Sequence, residues 1–197
     1  MQKRVLGLTG PTGAGKSEAA KIFAQEGCTI IDCDRVAREV TNTDCDCLEK
    51  LRQAFGGEIF SSDGSLNRRK LAAIAFATRE NELRLNAITH PPIMRRVRAA
   101  INQADTQAVV LDAPLLFESG ADALCSQTIA VTADQEIRCA RIMARDGITE
   151  EEALRRISAQ QPEAFYQKKA GVVLKNNGDA VAFEVAARNW IRTFLHK

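Results

Sequence analysis

Residues 10–17 read Gly10-Pro11-Thr12-Gly13-Ala14-Gly15-Lys16-Ser17 and match G-x-x-x-x-G-K-[ST] in full. These residue types at this spacing do one kind of chemistry. Glycines allow backbone angles that turn successive N–H groups inward, forming an anion nest at a helix N-terminus. Lys16 brings a point charge to the β- and γ-phosphates of a nucleoside triphosphate, and Ser17 offers a hydroxyl to Mg²⁺. With four fixed positions between an expected strand and an expected helix, a chance match is rare. Glu18 follows directly. A carboxylate beside bound phosphate is unfavourable unless it points away, although in the first turn of a helix it suits the macrodipole.

A phosphate cradle alone names a nucleotide and not a reaction. Asp32 and Asp34 are spaced i, i+2 at the expected end of a second strand, where ligands of parallel sheets gather. One of them can orient or deprotonate an acceptor hydroxyl, and the other can support the water shell of Mg²⁺. The alternative is that Asp32 caps a helix and Asp34 is solvated. Asp112, closing the apolar run Ala108-Val109-Val110-Leu111, resembles a Walker B carboxylate, with Glu118 a second candidate. Phosphoryl transfer also needs positive charge on the moving phosphate. Arg138, Arg141 and Arg145 share one helix face at i, i+3, i+7, as on a lid helix; a wet basic face is the competing reading, above all for Arg138.

These side chains need a sheet to hold them. Residues 4–9, 29–32, 107–112, 128–131 and 172–174 read as short buried strands, and 17–25 as a helix. Strand, loop, helix and strand in that order open a parallel α/β sheet. About seventy residues separate the second strand from the third, far more than a crossover needs. They read as helices over 46–55, 68–76, 79–88 and 92–101, with a break at His90-Pro91. Helices follow at 134–145, 149–159, where Thr149 and Glu152 form a capping box, and 179–195.

The chain has 197 residues, 45% of them hydrophobic, with 27 basic and 25 acidic side chains. That length and composition fit one compact domain, or one domain carrying a sizeable insertion, and argue against disorder or bulk polyanion binding. Residues 67–98 hold eight basic side chains against two acids, which suggests an anionic ligand or, equally, solvated helix faces. Six cysteines without a C-x-x-C pair, beside only two histidines, read as reduced thiols in a cytoplasmic protein. Neither a secretory signal nor a membrane segment is expected.

The chain lacks the guanine-reading N-K-x-D motif and a D-x-x-G after a strand, which leaves a small P-loop kinase. From here the residues resemble the dephospho-coenzyme A kinase family over nearly the whole length. The resemblance rests on the loop at 8–17, the run 31–38, and Asp63-Gly64-Ser65-Leu66-Asn67-Arg68. It continues through Ile88-Thr89-His90-Pro91-Pro92-Ile93, Asp112-Ala113-Pro114-Leu115-Leu116-Phe117-Glu118, Arg141 to Arg145, Gln160 and Asn176-Asn177-Gly178.

The resemblance implies a P-loop kinase fold: a parallel five-stranded sheet with helices on both faces, a helical substrate-binding insertion and a lid. The core would comprise 1–34, 107–135 and 170–197, the coenzyme A domain 35–106 and the lid 136–169. It implies ATP-dependent phosphorylation of the ribose 3′-hydroxyl of dephospho-CoA, with Mg²⁺, in a monomer or a homo-oligomer that binds neither nucleic acid nor membrane. Asp34, Lys16 and Arg141 would be catalytic. Residues Gly10 to Glu18, with Arg141, Arg145 and Asn177, would bind nucleotide. Asp34, Arg68, His90 and Pro91 would bind substrate, and Ser17 and Asp32 would attend the metal. The chain departs from the family pattern at Glu18, Asn67, Tyr166, Gly171 and Lys175. Another small P-loop kinase, or a nucleotide-binding regulator without turnover, are the alternatives.

Overall fold

The computed structural model describes residues 3–196. Five strands, β1 (Arg4–Thr9), β2 (Thr29–Asp32), β3 (Ala108–Asp112), β4 (Gln127–Thr132) and β5 (Val172–Lys175), form one sheet in the order β2-β3-β1-β4-β5. Every adjacent pair is parallel, and helices flank the sheet on both sides. The strands are short aliphatic runs, as expected of parallel strands covered on both faces. The central strand β1 lies between β3 and β4, so chain connections leave it in both directions. This is the switch point where α/β sheets bind ligands.

Nine helices occur among the described residues. These are α1 (Lys16–Gln25), α2 (Cys33–Thr43), α3 (Cys45–Phe55), α4 (Arg68–Ala75), α5 (Arg79–Gln103), α6 (Gln135–Asp146), α7 (Glu150–Ser158), α8 (Glu163–Lys169) and α9 (Ala180–His196). Two compact units result, one running to Asp32 and resuming at Ala104, the other spanning Cys33–Gln103. Residues 136–169, with α6 to α8, belong to the first unit.

In the first unit Leu6, Leu8, Val110, Ile129 and Val131 meet Ile22 and Phe23 of α1 and Phe183, Ala187 and Ile191 of α9. Side chains alternate along a strand, so Gly7 faces the other way. A Cβ there would lie 2.6 Å from a Leu116 methyl and 2.9 Å from Cys125 Sγ, so a larger residue would have to displace those side chains. Glu26, just past α1, accepts bonds from both Arg188 and Arg192 of α9 and ties the two helices together. Thr149 caps α7 in a reciprocal capping box with Glu152, as the sequence predicts.

In the second unit, Val40, Cys47, Leu51, Phe55, Leu71 and Ala75 form the core. Asp44 caps α3 by accepting from Cys47 N at 3.0 Å, and Asn67 caps α4 by accepting from Lys70 N at 3.0 Å. Two expectations fail here. The break at His90-Pro91 is absent, and α5 runs unbroken through Pro91 and Pro92. Its packing on α2, α3 and α4 outweighs the two missing N–H donors. Helix α2 forms directly after Asp32, where only the alternative reading of that aspartate puts a helix, with Val36 and Val40 buried one turn apart. In the first unit, the short α8 was also unanticipated.

Candidate active site

The loop from Gly10 to Ser17 joins β1 to α1 and borders a cavity of about 470 Å³ in the first unit. Gly15 has φ 100° and precedes α1 without any side-chain cap; Glu18 N–H turns back to the Gly15 carbonyl at 3.0 Å, which leaves those of Lys16 and Ser17 available to an anion. Gly13 has φ 77°, and a Cβ there would lie 2.8 Å from the carbonyl oxygen of Arg138. The cavity is also lined by Lys16, Ser17, Glu18, Arg141, Arg145 and Gln160. Glu18 is exposed and pairs with Lys21 at 3.3 Å, one turn along the helix.

Lys16 Nζ is hydrogen-bonded to Asp112 Oδ1, and each of the two side chains is 16% exposed. Asp32 is paired in register with Asp112, so both carboxylates stand at the carboxyl end of the sheet, each closing its strand. Thr9 Oγ1 donates to the Pro114 carbonyl at 3.1 Å and fixes the turn after β3 against the end of β1. Ser17, Asp32 and Asp112 supply only hard oxygen donors, the set that suits Mg²⁺, which keeps several waters and binds through few protein groups. Glu118 is exposed. It lies close enough to Tyr166 to help burial hold that phenol above its ordinary pKa.

Around the loop lies a second layer of side chains. Arg138 is 5% exposed, which removes it from any wet basic face. Its Nε donates to the Thr12 carbonyl at 2.8 Å and its Nη2 to Gln160 Oε1 at 3.3 Å. Gln160 Oε1 also accepts from Thr12 N at 2.9 Å. Arg141 reaches the carbonyls of Gly13 and Ala14 at 3.4 and 3.5 Å and Asn176 Oδ1 at 3.3 Å. The buried Asn176 donates to the Ala14 carbonyl at 2.9 Å. Asn177 does not line the cavity: it exchanges hydrogen bonds with Asp134, 2.8 Å to the backbone and 2.6 Å to the carboxylate. Arg145 forks onto Asp146 at 2.7 and 2.9 Å while bordering the cavity. Sequence reasoning therefore missed Asn176 as the loop contact and Arg138 as a brace; Asn-Asn spacing alone does not say which amide faces inward.

The second unit carries its own cavity of about 380 Å³, with Asp34, Arg38, Thr41 and Arg68 above an apolar floor that includes Leu71, Phe76 and Ile93. Asp34 lies in the first turn of α2 and is exposed. Arg68 donates to Thr41 Oγ1 at 2.8 Å, Asn42 Oδ1 at 2.7 Å and the Arg38 carbonyl at 3.1 Å, closing the C-terminal end of α2. His90 and Pro91 do not border this cavity. Pro91 lines a smaller one beside Asp44 and Arg95, and burial holds the His90 pKa below its ordinary value. Within the basic segment, Arg79 and Arg84 pair with Glu82 and Glu80 on the surface of α5.

The unusual positions have local explanations. Tyr166 is buried at 2% exposure, edge-on to Phe165. Gly171 donates its N–H to Thr128 Oγ1 at 3.0 Å, where a Cβ would approach the Thr128 carbonyl to 3.3 Å. Lys175 pairs with Asp134 at 3.0 Å. Asn67 keeps the capping role an aspartate would have.

Comparison with known proteins gives one answer. Residues 4–182 match the family model described as dephospho-CoA kinase. A Corynebacterium glutamicum dephospho-CoA kinase is 38% identical over 195 residues, 98% of each chain. A solved structure from Thermus thermophilus superposes with TM-score 0.86 at 32% identity, covering 99% of both chains. The dephospho-CoA kinase from Campylobacter jejuni gives 0.71 at 26% identity, covering 98% of both.

Proposed function

The chain belongs to the dephospho-CoA kinase family, and from that premise we propose that it transfers the γ-phosphoryl group of ATP to the ribose 3′-hydroxyl of dephospho-CoA, giving coenzyme A and ADP. This is the final step of coenzyme A biosynthesis. The observation that carries the reading is the uncapped loop-to-helix nest at Gly10–Ser17, with Lys16, Arg141 and Arg145 bordering one cavity.

The chemistry divides among named groups. The nest and Lys16 bind the triphosphate; Lys16 exchanges its carboxylate partner Asp112 for phosphate oxygens as the nucleotide arrives. Arg141 and Arg145 supply positive charge to the phosphoryl group in transit. Ser17 and Asp32, with Asp112, would hold Mg²⁺, which neutralises charge on the β- and γ-oxygens. Asp34 orients the acceptor hydroxyl and takes its proton as the new O–P bond forms and the bond to ADP breaks. Arg38 and Arg68, at the rim of the second unit's cavity, suit the pyrophosphate of dephospho-CoA, because guanidinium forks match phosphate oxygens.

Among the described residues no helix is long and apolar enough to cross a membrane. The test is ADP release by purified protein with ATP and Mg²⁺, offering dephospho-CoA, AMP and adenosine as separate acceptors. Release with dephospho-CoA alone is expected. Release with AMP or adenosine alone would point to a nucleoside or nucleotide kinase. Nucleotide binding without release in any arm would point to a regulator.

A further inference from the structure

Thr12 sits at the crest of the phosphate loop, and both of its backbone polar groups are taken by side chains that lie far away in sequence. Its N–H goes to Gln160 and its carbonyl to Arg138, while Arg138 and Gln160 bond each other. The three groups close a ring around one residue of the loop, spanning the peptide units on either side of its Cα. Arg138 comes from the second turn of α6, and Gln160 from the turn after α7. The same α6 turn presses its backbone on Gly13.

A P-loop needs no such clamp to exist, because its carbonyl and amide can be hydrated. Burying a guanidinium is costly unless its donors are satisfied. No ion pair of Arg138 occurs among the described residues, and the Glu163 carboxylate acts on it only at a distance. The buried cation is therefore spent on the loop's own peptide and not on a structural salt bridge.

Resting on the reading of this loop as the ATP cradle, we propose that Arg138 and Gln160 are positioning residues that hold the backbone on both sides of Thr12 in its nucleotide-binding conformation, so that α6 and the turn after α7 set ATP affinity through the loop. Nucleotide binding otherwise has to order the loop itself, which weakens affinity without touching the acceptor side.

The test is equilibrium binding of a fluorescent ATP analogue, with KM measured separately for ATP and dephospho-CoA. The variants are Arg138→Met, Gln160→Met and the double substitution. Gln160 is half-buried and outside any helix, so its replacement leaves the hydrophobic core alone. It keeps the test alive should Arg138→Met fail to fold.

Each single variant is expected to bind ATP roughly tenfold more weakly, the cost of losing its part-buried hydrogen bonds within the ring. KM for dephospho-CoA should be unchanged. The double variant should bind about as weakly as either single one, because one ring is broken once. A merely structural role would lower the active fraction without moving KM for ATP.

ATP binding within twofold of the parent in folded Gln160→Met overturns the proposal. Additive losses in the double variant would also overturn it, since Gln160 lines the cavity and would then be touching the nucleotide directly. Failure of the parent protein to bind ATP would instead sink the reading of the loop.

Discussion

Lys16, the lysine of the phosphate loop, is hydrogen-bonded to Asp112, the last residue of β3. The cation that a triphosphate must recruit thus already has an anionic partner. Lys16→Met should lower the rate of phosphoryl transfer by about 10²–10³ while the protein stays folded, because the lost donor acts on charge in the transition state. Single-turnover kinetics beside a melting curve would check this; a folded variant at full rate contradicts it. Asp112→Asn removes the competitor for Lys16, so ATP without Mg²⁺ should bind at least as tightly as before. Weaker metal-free binding by calorimetry would mean that Asp112 does not compete with phosphate for Lys16.

Asp34→Asn should retain ATP affinity and lose turnover by about 10²–10⁴, the range for a general base. Stopped-flow ADP release and nucleotide titration separate the two quantities. Unchanged turnover would leave Asp34 as a solvated residue in the first turn of α2.

Gly13→Ala tests the loop's geometry. At φ 77° a side chain costs about 1–2 kcal/mol, before the approach to the Arg138 carbonyl is counted. Melting temperature and ATP affinity should fall together. A variant indistinguishable from the parent in both would show that the loop relaxes freely.

Acid stability should follow Glu26. Hydrogen bonds from Arg192, then Arg188, hold its folded pKa below the ordinary 4.5. A depressed folded value means that the carboxylate contributes stability above the unfolded pKa and loses it as pH falls through the folded one. Stability to urea should therefore drop below about pH 4.5. Glu26→Gln should flatten that part of the profile; an unchanged acid limb in the variant would assign it to other carboxylates.

Much of this was legible in the chain because it is local. The run from Arg4 to Asp32 alternates strand, glycine turn and helix, and Thr149 with Glu152 spells a cap that forms as spelled. What stayed illegible depends on packing. His90-Pro91 reads as a break, yet packing on neighbouring helices keeps α5 continuous through Pro91 and Pro92. Arg138, Arg141 and Arg145 share a helical face in any projection, but only tertiary structure sends the first under the loop and leaves the third at the cavity edge. Asn176 and Asn177 differ by one position on leaving β5, and one residue of register decides which amide reaches Ala14.

The most direct test of the whole account is the position of the new phosphate. Product formed from ATP and dephospho-CoA, examined by phosphorus–proton correlation NMR, should carry one new phosphomonoester coupled to the ribose H3′ proton. A monoester coupled to H2′, or none formed while ADP accumulates, would contradict the assignment of this protein as the kinase of that hydroxyl.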